Sequence, residues 1–389
     1  MVDASAGTLL VDGPVPELNE HIRGLVLIDH HVHSVLRGTL SRDTLLSLLT
    51  ESDRVDAAVA AGMQSQLGIA VRRLTAPLLG LEAGLSAESW LEARGRWDNL
   101  DAARRLLPAA GFGTLLVDTG FRGNELVDLA DLAPIAGAEV REVVRIESVA
   151  ERVVLERPDA SAFPGRFRDA LEAAARDAVG LKTIVAYRHG LDFDPEPPTD
   201  AEVAERVSAW MRGIDQGGPV RLTDPVILRF GIWEAVALGK PLQVHTGYGD
   251  TDLDLQRADP LLLTGFLRRT VDRCPVTLLH TYPFHRNAGY LAQMFPHVYL
   301  DVGLALHHAG AASDRIVAES LELAPFTKLL FSSDGWGLPE LHWLGSWLFR
   351  RGMARVLGRW VADGDWSLGD ARRVVELVGR DNAHRVYRL

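Results

Sequence analysis

Gly24–His33 reads GLVLIDHHVH, a short apolar run that turns abruptly into acid and imidazole. Aliphatic residues without polar alternation are what a strand covered on both faces requires. Seven similar runs follow: Gly113–Asp118 (GTLLVD), Arg141–Ile146 (REVVRI), Val179–Ile184 (VGLKTI), Pro241–His245 (PLQVH), Val276–His280 (VTLLH), Val298–Val302 (VYLDV) and Lys328–Ser333 (KLLFSS). Helical stretches separate them, at Phe163–Asp177, Asp200–Gln216, Asp224–Gly239 and from Asp259-Pro260 to about Arg273, with Pro just inside the last start. A final helix, Leu368–Tyr387, carries Val374, Val375, Leu377 and Val378 at helical spacing. Eight strands alternating with helices predict an α/β fold, a (β/α)8 TIM-like barrel. Residues 40–112 show helical patterns and no convincing strand. They read as a helical insertion after strand 1, inside one barrel spanning residues 1–389.

The 389 residues are 47% hydrophobic and 24% charged, which excludes a disordered or fibrous chain. The net charge of −11 argues against nucleic acid and anionic membrane as partners. Cys274 is the single cysteine, so no intrachain disulfide forms. A reducing, cytoplasmic compartment is expected. Met1–Pro14 holds Asp3 and Asp12 and no Lys or Arg, unlike a signal peptide. No run of eighteen apolar residues predicts a membrane-spanning helix.

The chemistry gathers at strand ends. On an extended chain Asp29, His31 and His33 share one face, with His30 and Val32 on the other. Two imidazoles on one side can chelate a metal, although a polar strand end with incidental histidines has the same sequence. His245 closes the fifth strand, His280 closes the sixth and Asp334 follows the eighth. Barrel enzymes place their catalytic groups on this rim, and such a set favours a metal centre. Lys182 sits inside the apolar fourth strand, where a bare ammonium is costly. Three readings stand: a carbamate bridging two metals, a lysine contacting an anion, or a head group in water at the strand mouth. Substrate-facing candidates are Tyr187 and Arg188 after strand 4, Tyr248, Asp250, Asp252, Asp254 and Arg257 after strand 5, Tyr282 and His285 after strand 6, and Trp336 and Glu340 after strand 8. Arg188 suits a carboxylate and the acidic loop an ammonium. His307-His308 reads as loop. No P-loop, GxGxxG, CxxC or GxSxG motif is present.

This constellation resembles the amidohydrolase superfamily. The closing RDNAHRVY (Arg380–Tyr387) looks like its amidohydrolase-related branch. VHTGYGDTDLDL, LLHTYPFHRNAGYLA and LLFSSDGWGLPE resemble the amidohydrolase domain found fused to glutamine-synthetase-like domains. The resemblance runs from about Leu25 to Leu389, and no synthetase domain is expected here. It implies a metal-dependent hydrolase with His31, His33 and Asp334 on one metal, and His245 and His280 on a second with carbamylated Lys182 between. With one metal, His245 joins the first set and His280 orients substrate or water. Zinc is the first expectation, with manganese or iron as alternatives. The implied reaction is attack of metal-bound hydroxide on a small amide, such as a γ-glutamyl amide, with Asp334 as general base and acid and His280 assisting. Two alternatives remain: a nonoxidative decarboxylase of an aromatic or unsaturated acid, and a non-catalytic scaffold barrel. The expected partner is a small-molecule substrate, with a homodimer expected by analogy.

Overall fold

The computed structural model describes residues 11–52, 62–123 and 125–389. Seven parallel strands form one sheet in sequence order: β1 (Leu27–Val32), β2 (Phe112–Asp118), β3 (Glu139–Arg145), β4 (Gly180–Thr183), β5 (Leu242–His245), β6 (Val276–Leu279) and β7 (Val298–Leu300). The eighth run is extended but is not a ladder strand. Leu330 N donates to Leu300 O at 2.9 Å, and His30 N donates to Phe331 O at 3.1 Å, so the run bridges β7 and β1. The (β/α)8 barrel closes there through alternating partners. Side chains compete for this segment: Asp29 Oδ1 accepts Ser333 N, and Ser332 Oγ donates to Asp301 Oδ1.

The first strand departs from the sequence expectation in two ways. It begins three residues later than Gly24 and carries Asp29-His30-His31 within it. Its register against β2 also slips, with Asp29 opposite Leu115 and Val32 opposite Val117. Three steps on β1 face two on β2, a bulge that breaks strict alternation. His30 and His31 are both fully buried. His30 reaches Tyr387 and Asp301, while His31 reaches Gln243 and Lys182. The two rings reach different partners, and Gln243 links them by donating to His30 O and Tyr387 while meeting His31.

The two ends of the barrel interior differ. At one end Ile28, Leu116, Val143 and Leu330 pack against Ala383, Val386 and Tyr387. The last three belong to a terminal helix, Asn382–Tyr387, that plugs the barrel. The other end is polar and holds the histidines. Between β1 and β2 lie helical turns at Arg42–Ser47, Gln66–Ala70 and Ala87–Arg94, followed by α1 (Asn99–Ala110). Residues 53–61 of this segment lie outside the described residues. Asp98 caps α1 by accepting Leu100 N, and Gly111 ends it at φ +74, a conformation glycine adopts without a Cβ penalty. A long helix, α2 (Pro339–Ala362), follows Asp334. Glu340 in its first turn pairs with Arg94 in full burial, and Arg94 also donates to Asn99. This ties the β1–β2 segment to the helix behind Asp334. Glu340 is thus a brace here and does not line the cavity described below. Among the described residues no helix is long and apolar enough to cross a membrane.

Candidate metal centre

Four side chains from two strand ends, β1 and β6, and the eighth run meet in one volume. Asp334 Oδ1 lies 3.3 Å from His31 Nε2 and 3.7 Å from His33 Nε2, and Asp334 Oδ2 lies 3.3 Å from His280 Nε2. Asp118 closes β2 and forms a second group with His31 and His33. Lys182 Nζ is 3.0 Å from His31 Nε2 and 3.9 Å from Asp118 Oδ2. The His245 ring lies 5.1 Å from that of His280, tilted by 58°. His280 and Asp334 hold left-handed backbone, φ +58 and +49, which non-glycine residues keep only where surroundings impose it.

Partners behind the rings decide which nitrogen faces the centre. Gln243 Nε2 donates to His30 O and Tyr387 OH, so its Oε1 is left to accept from His31 Nδ1 at 2.8 Å. His31 Nε2 then presents a lone pair. His33 Nδ1 donates to Asp118 O, which frees its Nε2 in the same way. His280 turns Nδ1 toward Asp301 at 3.6 Å. Asp334 Oδ1, His280 Nε2 and His245 Nε2 are buried without hydrogen-bond partners. Unpaired buried acceptors aimed together are costly unless a cation joins them. This donor set, imidazole and carboxylate, fits a divalent transition metal. Replacing Gln243 by Leu releases His31's tautomer, and metal affinity is expected to fall about 10–100-fold. Competition with a colorimetric chelator measures it, and an unchanged affinity would remove Gln243 from the support of the centre.

Burial holds His31 and His245 well below the ordinary imidazole range and His33 down at about 3. The unfolded chain therefore binds protons that the folded state refuses between about pH 6.5 and 3. Their stabilisation is full above that window and drains as pH falls through it. Asp29, raised by burial to about 8, and Glu147, also raised by burial, act in the opposite direction as pH falls, but they are two groups against five buried imidazoles, since burial lowers His307 and His342 as well. The metal-free protein should melt several degrees lower at pH 5 than at pH 7. Equal melting temperatures would show that these imidazoles are not held neutral.

Above the donors opens a cavity of about 510 Å³. His33, Lys182, His245, His280 and Asp334 line it, together with Tyr187, Arg188, Asp250, Asp252 and Trp336 of the sequence candidates. The Tyr187 ring lies 4.3 Å from His245. Five further candidates, Arg257, Tyr282, His285, Tyr248 and Asp254, fall elsewhere. Arg257 is half-exposed and clamps Asp192. Tyr282 stacks on His285, whose Nε2 meets Glu319 at 2.8 Å. Tyr248 packs edge-on against His308. Asp254 accepts Gln256 N as a turn cap. His307-His308 sits in a helix, Gly303–Ala309, rather than a loop, and His308 pairs with Glu51. Sequence reading missed Asp118, Arg145 and Asp301. Asp118 and Asp301 stand at or just past strand ends, the same signal that marked Asp334. Arg145 pairs with Asp118 at 2.6 Å, a contact across strands that sequence alone does not show.

The family model described as Amidohydrolase matches residues 121–389. The chain belongs to this family. Protein fluG of Emericella nidulans is 29% identical over 411 residues, covering 93% of this amidohydrolase chain but 46% of the relative. The chain thus spans about half the length of that curated protein. A structure from Lactobacillus casei, provisionally described as a metal-dependent hydrolase, superposes with a TM-score of 0.81 at 28% identity, covering 95% of this chain and 97% of the other. Uronate isomerase of Thermotoga maritima shares the fold, with a TM-score of 0.63 at 14% identity and full coverage of both chains. The amidohydrolase-family barrel and its convergent His and Asp donors make this an enzyme suited to divalent metal use.

Proposed function

We propose that this amidohydrolase cleaves a C–N bond, an amide, in a small molecule, with γ-glutamyl amides as the first substrates to try. The observation that carries the reading is Asp334. Its Oδ1 is buried and unpartnered, beside the lone pairs of His31 and His33 and at the floor of an open cavity. His31, His33 and Asp334 would hold one divalent ion, with His245 and His280 placed for a second. When bound, such an ion lowers the pKa of a water toward about 7 and polarises a carbonyl. Asp334 accepts the proton of the attacking water and delivers it to the departing nitrogen. His280 sets its Nε2 3.3 Å from Asp334 Oδ2 and turns its Nδ1 toward Asp301 at 3.6 Å, so it stands beside the carboxylate ready to orient substrate or water, or to serve as a ligand of the second ion. Trp336 meets Phe121 edge-on at 5.2 Å and walls the reacting groups from bulk water. The similarity to the Lactobacillus casei protein and to part of protein fluG supports the hydrolase reading. The test is to incubate zinc-loaded protein with a panel of γ-glutamyl and other small amides and to measure released amine. Release that vanishes on chelation supports the reading. Carbon dioxide evolved from aromatic acids, with no amide cleaved, would replace it by decarboxylation.

A further inference from the structure

The cavity carries charge beyond its metal donors, and that charge is arranged unevenly. Arg145 on β3 is nearly buried, with its side chain 9% exposed. Its Nε and Nη2 both donate to Asp118 Oδ2, and no described residue accepts from its Nη1. The Phe121 ring covers the guanidinium at 5.6 Å. Gly120 packs so close that a Cβ there would sit 2.2 Å from Arg145 Cβ. The fork is thus fixed in place, with its free edge on the cavity. Arg188 is equally buried. Its Nη1 serves Glu151 and Leu222 O, and its Nε is buried with no partner. Arg145 and Arg221 both act on Arg188 by like-charge repulsion, so these cations share one region.

The cavity's acids are differently placed. Glu51 is taken by His308 at 3.2 Å, and Asp252 by Arg221 at 2.8 Å. Asp250 Oδ1 accepts the Asp252 amide. Among the described residues outside the metal donors, the unmet hydrogen-bonding capacity on the walls is therefore cationic. We infer that Arg145 and Arg188 form a carboxylate-binding subsite, and that the substrate is an amide carrying a free carboxylate away from the scissile bond. A planar guanidinium with an open edge is the donor that suits a carboxylate, and a buried one binds it without first surrendering a hydration shell. Among the described residues outside the metal donors, the substrate's ammonium, if present, meets only carboxylates that already have partners, and contributes little.

This inference rests on the reading of the cavity as a metal-dependent active site, and the test separates the two. Two short hydroxamates anchor at the metal through the same group: succinyl monohydroxamate ends in a carboxylate, and its counterpart ends in a carboxamide. Each is titrated calorimetrically into zinc-loaded protein. The carboxylate form is expected to bind about 10–100-fold more tightly, the range for charge-assisted hydrogen bonds. The advantage should shrink to under about threefold in Arg188→Gln, which leaves only a partly exposed Glu151 behind. Arg145→Lys, which keeps the charge opposite Asp118 but loses the fork, should also reduce it. Equal binding of the two hydroxamates overturns the subsite and leaves the metal centre standing. An advantage undiminished in both variants overturns its assignment to these arginines. Failure of both hydroxamates to bind overturns the metal-dependent reading, and this inference with it.

Discussion

Asp334→Asn is expected to lower turnover by roughly 1,000-fold at saturating metal, the middle of the range for losing a general base. The substitution is close to neutral for the fold. Asn adopts left-handed backbone more readily than most residues, so φ +49 is retained. The backbone bond from Asp334 N to His31 O at 3.2 Å is also untouched. The carboxylate's proton affinity is what is removed. Metal affinity will also fall, because a neutral amide is a poorer ligand, so the assay must be run where elemental analysis shows the ion bound. Near-native turnover under those conditions would remove Asp334 from proton transfer and leave it a ligand only.

Lys182→Ala is expected to lower the metal content from about two equivalents per chain to one. Burial holds the Lys182 ammonium down to about 8, against the pull of Asp118 and Asp334. Part of the population is then neutral near pH 7.5, and only a neutral amine adds to carbon dioxide. The resulting carbamate would sit beside His31, between two groups of donors: His31, His33 and Asp334 on one side, and the unpaired Nε2 atoms of His245 and His280 on the other. As an ammonium, Lys182 would instead repel any ion at His31, and its removal would raise metal affinity. Elemental mass spectrometry on protein purified in bicarbonate reads the difference. One equivalent in both proteins would establish a single-metal centre with Lys182 in another role.

The barrel and most of its rim were legible because each depends on local pattern. An apolar run ending in His or Asp marks a strand mouth whatever lies elsewhere in the chain, which is how His245, His280 and Asp334 stood out. The bulge in β1 was not legible, because it is a relation between two strands and leaves no trace in GLVLIDHHVH. The eighth run had a strand's composition, yet Asp29 took the amide of Ser333 and broke the ladder. Arg257 read as a substrate contact because it stands in a rim loop. Its guanidinium is occupied by Asp192, 65 residues upstream, and such pairings are set by folding. Tyr282 and His285 were misplaced for the same reason: they face each other and Glu319 rather than the cavity.

Tyr387 has a consequence in time. Its hydroxyl meets His30 Nδ1 at 3.0 Å across 357 residues of sequence and also accepts from Gln243, which fixes His31. At ribosomal speeds of about 5–20 residues per second, roughly 20–70 seconds separate the synthesis of His30 from that of Tyr387. Throughout that interval the β1 histidines are free to rotate and to take either tautomer. Any ion caught then is held by loose imidazoles, whose preference follows intrinsic affinity and favours copper over zinc. Only the closed barrel imposes a geometry. The tautomer that His31 offers to an ion is thus set only when the helix carrying Tyr387 docks.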